Sequence, residues 1–200
     1  MLHDGVAAYP GAVDGLARIA CRGRKVVVLT NSGKDAAANL RRLRANCFAD
    51  SGLDTVVSSG DVALQRVKSG ALGPRFSRGA DVCVIGRAGD TYAFSSDDFR
   101  LVARPRDAAF LVFAGSDLPR TPLNAYRSML TAAAQDRVPA ICINPDITMI
   151  RDGELVAAPG ALAGLYESLG GRLNLSVNPT LPSSTMRSRP QPWVSGLASS

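Results

Sequence analysis

Apolar and polar residues alternate in blocks along the first 70 positions. The segment "GAVDGLARIACRG" has apolar residues at helical spacing and predicts a helix that ends at Gly23. "KVVVLT" follows as a continuous apolar run, which is typical of a parallel strand buried on both faces. "NSGKDAAANLRRLRAN" predicts an amphipathic helix, and "DTVVSSGDVALQRVKSG" predicts a strand at Thr55–Val57 and a helix from about Asp61 to Lys68. This alternation predicts an α/β fold with a doubly wound parallel sheet.

A second alternating block begins near Gly79. "ADVCVIG", "DAAFLVFAG" and "VPAICIN" predict strands, and "TPLNAYRSMLTAAAQDR" predicts a helix with Pro122 in its first turn. "DITMIRDGELVAAPG" predicts a hairpin that turns at Asp152 and Gly153, because the Asp-Gly pair favours a tight turn between strands. "GALAGLYESLGG" predicts a closing helix with a glycine stop.

Composition narrows the class of protein. With 200 residues, 46% hydrophobic and 20% charged, the chain has the make-up of one globular domain or two small ones. We expect no membrane segment, since the longest apolar run is 108–114. Four scattered cysteines without a C-x-x-C pair suggest reduced thiols and a cytoplasmic location.

The net charge of +6 raises the possibility of a nucleic-acid partner. We expect none, because Arg172, Arg187 and Arg189 supply three of these charges at or beyond a break in sequence character. The remaining basic cluster, "RRLRAN", lies on a predicted helix, where a solvated face is the simpler interpretation.

The stretch "VVVLTNSG" is the sharpest candidate for chemistry. A predicted strand ends at Thr30 and enters a helix, and ligands of α/β sheets bind at the carboxyl ends of strands. The Thr30 hydroxyl can donate to a phosphate oxygen, and a helix start offers N–H groups that suit an anion. The alternative is that Asn31 or Ser32 merely caps the helix.

Two further signals are weaker. "VIGRAGD" has only two glycines and no amphipathic helix after it, so we do not interpret it as a dinucleotide-binding loop. His3 is the single histidine, and together with Asp4 it either borders a site or lies in an N-terminal loop.

Four motifs occur in a recognisable order: "LHDG" at 2–5, "YPGAV" at 9–13, "VVLTNS" at 27–32 and "INPDITMIRDGELVAAPGALAGLYESLGG" at 143–171. In order and spacing they resemble the class IIA hydrolases of the haloacid dehalogenase superfamily, the relatives of nitrophenylphosphatase, nucleotidase and pyridoxal-phosphate phosphatase. The resemblance covers about residues 1–171. It implies a Rossmann-like parallel sheet core, incomplete here, with an inserted α/β cap domain.

The resemblance also implies an activity and a division of the chain. Such enzymes are Mg²⁺-dependent phosphatases of small phosphorylated metabolites that form an aspartyl-phosphate. The core would begin with residues 1–70, the cap would span 79–157, and a helix at 158–171 would return to the core. A homodimer through the cap is possible in such proteins.

Residue by residue, the resemblance transfers only in part. Thr30, Asn31 and Ser32 match the phosphate-binding segment, and His3, Asp4 and Gly5 match the active-site loop. The nucleophilic aspartate would stand about four residues before Met1, and Met1 falls on a family valine, as a start assigned too late would produce. We therefore expect an inactive chain without its magnesium ligands. The alternative is a non-catalytic pseudoenzyme that binds a phosphorylated ligand.

The sequence changes character at about Arg172. Residues 172–200 contain no Asp, Glu or Lys but many Ser and Pro. The family expects "G-K-P-x-P-A-I-Y" there, with a phosphate-binding lysine. One set of codons for "SVNPTLPSSTMRSRPQPWVSGL" within this segment, read one base earlier, encodes "GKPYPAIFYDALAAAAVGLG". We therefore expect a single-base frame change near Arg172 and a disordered tail. A genuinely divergent tail is the alternative.

Overall fold

A computed structural model describes residues 2–3, 7–48, 53–95, 97–118, 120–151 and 153–177. Three sequence predictions fall outside these residues: Asp4 and Gly5 of the active-site loop, Asp152 of the hairpin turn, and positions 178–200 of the tail.

The first part of the chain forms a small parallel sheet with helices. Its elements are α1 (Ala12–Ala20), β1 (Val26–Thr30), α2 (Ala36–Leu43), β2 (Leu53–Ser58) and α3 (Ser59–Lys68). β1 and β2 pair in parallel. Both strands and all three helices were predicted, and β2 and α3 extend slightly beyond their predicted bounds.

The second part forms a five-stranded sheet, which we call the large sheet. Its order is β4-β3-β5-β6-β9, and every neighbouring pair is parallel. Strands β7 and β8 form a separate antiparallel hairpin. The elements are β3 (Asp81–Ile85), β4 (Arg100–Leu101), β5 (Phe110–Phe113), α4 (Leu123–Gln135), β6 (Pro139–Cys142), β7 (Thr148–Arg151), β8 (Glu154–Ala157), α5 (Pro159–Ser168) and β9 (Arg172–Ser176). The predicted α/β class with parallel sheets is confirmed.

The large sheet is covered on both faces. Side chains alternate along β5, so that Leu111 and Phe113 join one buried cluster with residues of α4 and α5. Phe110 and Val112 join the cluster on the opposite face. All four β5 residues are fully buried.

Helix α3 packs on the large sheet. Its residues Ala63 and Val67 are buried in the same cluster as Phe110 and Val112. The sequence prediction grouped this helix with residues 1–70, apart from the cap. The apolar face of α3 instead covers the large sheet of the second block. This helix therefore belongs to the first block in sequence but packs in the core of the second.

Strand β1 is not buried on both faces, and that prediction is wrong. Val26 is buried against α1 and α2, but Val27 and Leu29, on the opposite face, are 54% and 51% exposed. The reason is that the helices of this sheet lie on one face among the described residues. An apolar run does not reveal how many faces are covered.

The predicted disordered tail is also wrong at its beginning. Arg172–Ser176 forms β9, which pairs in parallel with β6. Leu173 packs against the cluster that contains α5, and Val177 is fully buried on the opposite face. The register of this pairing shifts between Ala140 and Ile141, so β9 is not a regular strand along its whole length.

Three further observations concern the helices and the cysteines. Within the described residues, no helix combines the length and apolarity that a membrane crossing requires. All four cysteines are free thiols, two buried and two exposed. Pro122 takes the N-cap position of α4, one place before the predicted first turn.

Candidate active site

The carboxyl end of β1 meets the carboxyl end of the large sheet at the loop of residues 31–34, here called the β1 loop. A Cβ atom on Gly33 would lie 2.6 Å from the carbonyl oxygen of Ala114, just beyond β5. The Gly33 carbonyl accepts the N–H of Ala93 at 3.0 Å, and the Ser32 carbonyl accepts the N–H of Gly60 at 3.1 Å. The β1 loop is therefore held where two strand ends converge, the position at which α/β proteins bind ligands.

The β1 loop is closed by two hydroxyl groups. The N–H of Ser32 donates to Thr30 Oγ1 at 3.2 Å, and the N–H of Lys34 donates to Ser32 Oγ at 3.2 Å. Such turns fix the side chains of Ser and Thr relative to the backbone. Because Thr30 Oγ1 accepts here, the hydroxyl hydrogen of Thr30 remains as a donor for a phosphate oxygen.

The start of α2 differs from the prediction. Its N-cap is Asp35, whose Oδ1 accepts the N–H of Ala38 at 2.5 Å, so Asn31 and Ser32 do not cap the helix. The N–H of Ala36 donates to Asp61 Oδ2 at 2.7 Å. Two carboxylates thus occupy the positive end of the helix dipole. The N–H groups of Ala36 and Ala38 therefore already have carboxylate partners.

Asn31 connects the β1 loop to the "NPD" segment that follows β6. Asn31 Nδ2 donates to Asp146 Oδ1 at 3.0 Å, across 115 positions of sequence. The N–H of Asp146 donates to Asn144 Oδ1 at 3.1 Å. A Cβ atom on Gly160 would lie 2.3 Å from the carbonyl oxygen of Pro145, so this segment packs tightly on the start of α5. Asn31 is therefore engaged with the second block of the chain.

Lys34 connects the β1 loop to the loop after β3. Its Nζ lies 2.8 Å from Asp90 Oδ1, and the two side chains are 28% and 30% exposed. The Tyr92 hydroxyl lies 3.5 Å from Asp90 Oδ2 and accepts the N–H of Arg87 at 2.9 Å. Burial raises the pKa of Tyr92 to about 12, so this phenol stays protonated at neutral pH.

Sequence reasoning missed Lys34 and Asp90. A signal for Lys34 was its position directly after "TNSG". Asp90 ends "VIGRAGD", the segment that was set aside because it lacks the third glycine of a dinucleotide loop. That segment has a different role, since it delivers a carboxylate to the β1 loop.

A groove runs along β1 beside the β1 loop. It has a volume of about 490 Å³, and its lining includes His3, Thr30 and Ser32. His3 forms an antiparallel bridge with Ala8, and the neighbouring Leu2 packs with Ala8 against the buried cluster that contains Val26 of β1. The structure thus brings His3 to the same groove as the predicted phosphate-binding residues Thr30 and Ser32.

Solved structures of similar fold supply the comparison. A haloacid dehalogenase-like hydrolase from Brucella suis aligns over 86% of this chain and 60% of its own, with 30% sequence identity and a TM-score of 0.70. The chain has the fold of the haloacid dehalogenase-like hydrolases. The predicted superfamily is confirmed.

Two more distant structures share this haloacid dehalogenase-like fold. A p-nitrophenyl phosphatase from Archaeoglobus fulgidus is 20% identical, with a TM-score of 0.59, and the alignment covers 88% of this chain and 66% of that one. A glycerol phosphate phosphatase from Mycobacterium tuberculosis, in complex with calcium, is 21% identical, with a TM-score of 0.62 and coverages of 88% and 49%. The chain therefore spans about half to two thirds of the length of these structures. No protein-family model and no curated protein sequence matches it.

The haloacid dehalogenase-like fold implies a magnesium ion, and the described residues do not fit one. Among them, no group of three or more Asp, Glu, His or Cys side chains is arranged to hold a metal ion. The acids around the β1 loop already have partners: Asp35 and Asp61 accept helix N–H groups, Asp90 pairs with Lys34, and Asp146 accepts from Asn31. Magnesium prefers several free oxygen ligands in octahedral geometry, so no catalytic step through the ion follows from these residues.

Proposed function

We propose that the protein is a phosphatase of small phosphorylated metabolites and that Thr30 binds the phosphoryl group. The observation that carries this proposal is the position of the Thr30 hydroxyl, at the meeting point of two strand ends in a haloacid dehalogenase-like fold. The names of two structural neighbours, a p-nitrophenyl phosphatase and a glycerol phosphate phosphatase, support the reaction class.

Thr30 would act by positioning. Its hydroxyl oxygen is fixed by the N–H of Ser32, so its hydrogen can be directed at a phosphoryl oxygen without further ordering of the side chain. Correct placement of the reacting group lowers the entropic part of the barrier. The contact from Asn31 to the second block of the chain would hold the β1 loop in place during binding.

The resemblance places the nucleophilic aspartate upstream of Met1, outside this sequence. Loss of a nucleophile can cost about a million-fold in rate. We therefore propose that the 200-residue chain binds a phosphorylated ligand without hydrolysing it. A homodimer through the second block and a cytoplasmic location stay predictions.

The test compares two forms of the protein. The chain as given should not hydrolyse p-nitrophenyl phosphate with magnesium. A form extended upstream through the aspartate, and returned to the alternative frame after Gly171, should hydrolyse it. Thr30→Ala should then lower kcat sharply, whereas Thr55→Ala on β2, an exposed threonine, should not.

Two results would overturn the assignment. One is robust magnesium-dependent turnover by the chain as given, and the other is an extended form indifferent to loss of its upstream aspartate. A non-catalytic phosphate-binding protein is the second candidate, because the acids around the β1 loop are already paired. It predicts phosphate binding in both forms and hydrolysis in neither.

A further inference from the structure

We propose that Lys34 is the cation that binds the phosphoryl group and that Asp90 holds Lys34 in the absence of ligand. The inference rests on the proposed phosphate-binding role of Thr30. It adds Lys34 as a second phosphate-binding residue beside Thr30, and Asp90 as a group that competes with the phosphate for Lys34.

The charges around the β1 loop create the need for a cation. Asp35 and Asp61 lie at the start of α2, and Asp90 and Asp146 contact the loop itself. A phosphate dianion that approaches Thr30 meets like charges at short range, and Coulomb repulsion of this kind is strong in a partly buried site. The positive end of α2 does not offset it, because two carboxylates already occupy that end.

Lys34 is placed to supply that charge. Its backbone N–H donates to Ser32 Oγ, and the N–H of Ser32 donates to Thr30 Oγ1, so Lys34 belongs to the same closed turn as Thr30. A lysine ammonium is a compact charge on a flexible stem, so it can reach different partners from one backbone position.

The pair of Lys34 and Asp90 can exchange. Both side chains keep almost a third of their surface exposed, and ion pairs of that exposure contribute little net stability. A phosphate oxygen carries more negative charge than a carboxylate oxygen and can displace Asp90 from Lys34. The Tyr92 hydroxyl already donates to Asp90 Oδ2 at 3.5 Å, so the carboxylate keeps this donor once Lys34 has left.

Competition predicts opposite effects for the two partners. Lys34→Gln removes the cation and should weaken the binding of inorganic phosphate on the order of tenfold. Asp90→Asn removes the competitor and a like charge, and should tighten that binding about threefold or more. Lys34→Arg keeps the charge and should restore most of the affinity. A pair that only ties two loops together predicts that both substitutions act in the same direction.

The experiment is calorimetric titration of the 200-residue chain with inorganic phosphate at constant low ionic strength, with circular dichroism of each variant as a check of folding. The control variants are Lys68→Gln and Asp98→Asn. Lys68 on α3 and Asp98 in the loop before β4 form another Lys–Asp pair, 2.6 Å apart, and Asp98 also pairs with Arg78. Neither control should change the affinity. Arg42→Gln tests the arginine that lines the groove.

The outcomes separate this inference from the proposed function. If the unaltered chain binds phosphate and Thr30→Ala weakens binding while Lys34→Gln does not, Lys34 is not the cation and only this inference fails. It also fails if Arg42→Gln causes the loss instead, or if Asp90→Asn weakens binding as Lys34→Gln does. If the unaltered chain binds no phosphate, the proposed function itself fails.

Discussion

Replacing Asp61 should destabilise the protein, because one carboxylate oxygen joins two elements. Asp61 Oδ2 accepts the N–H of Ala36 at 2.7 Å, at the start of α2, and the hydroxyl of Ser58 at 2.8 Å, at the end of β2. The N–H of Asp61 donates back to Ser58 Oγ at 3.1 Å, and Ser58 is the N-cap residue of α3. Asp61 therefore holds the N-cap side chain of α3 and also fixes α2 beside it.

The magnitude follows from these bonds. A hydrogen bond to a charged group contributes about 1.5–3 kcal/mol, and a half-buried carboxylate such as Asp61 falls at the lower end of that range. Asp61→Ala removes two such bonds and leaves the fully buried Ser58 hydroxyl without this acceptor, so we expect a loss of about 3 kcal/mol. Asp61→Asn keeps one acceptor oxygen without the charge, and we expect a loss of about 1 kcal/mol.

The assay is urea unfolding followed by circular dichroism, with Asp14→Ala as the control. Asp14 is an exposed acid in the first turn of α1, where only the helix dipole favours it, at about 0.5 kcal/mol. We expect the free energy of unfolding to be highest for the unaltered protein, lower for Asp61→Asn and lowest for Asp61→Ala. If Asp61→Ala and Asp14→Ala cost the same, the two-element role of Asp61 is refuted.

Three other predictions concern packing, association and pH. Gly60→Ala should destabilise the protein by about 1–3 kcal/mol, since its Cβ would lie 2.5 Å from the Gly33 carbonyl oxygen. Gly164→Ala in α5 meets open space and should stabilise the protein by about 0.5–1 kcal/mol. Urea unfolding measures both effects. Leu29→Thr should lower light scattering from self-association with little change in Tm, because Leu29 is half exposed; a large fall in Tm would contradict this. In the alkaline range, burial raises the pKa of Cys83 to about 11 and the pKa values of Tyr92 and Tyr166 to about 12. The folded state keeps these protons where the unfolded chain loses them, so the free energy of unfolding should fall as pH rises from about 9 through about 12. Denaturation midpoints that stay constant across this range would contradict the reasoning.

The sequence by itself determined the elements and their order. The apolar run "DAAFLVFAG" predicted a strand, and β5 lies within it. The Asp-Gly pair fixed the hairpin, with Gly153 at a φ of +82°. Thr30 was found because a strand end before a helix is a local pattern, and local patterns are what periodicity and turn residues record.

Tertiary structure decided which of these elements meet. Lys34 and Asp90 are 56 positions apart, and Asn31 and Asp146 are 115 apart, so neither pair follows from any local pattern. The same limit explains why Leu29 is half exposed although it is hydrophobic. Burial of a strand face depends on which elements pack against it, and those elements come from elsewhere in the chain. The sequence therefore determined which segments could carry the site, and long-range packing determined which charges surround it.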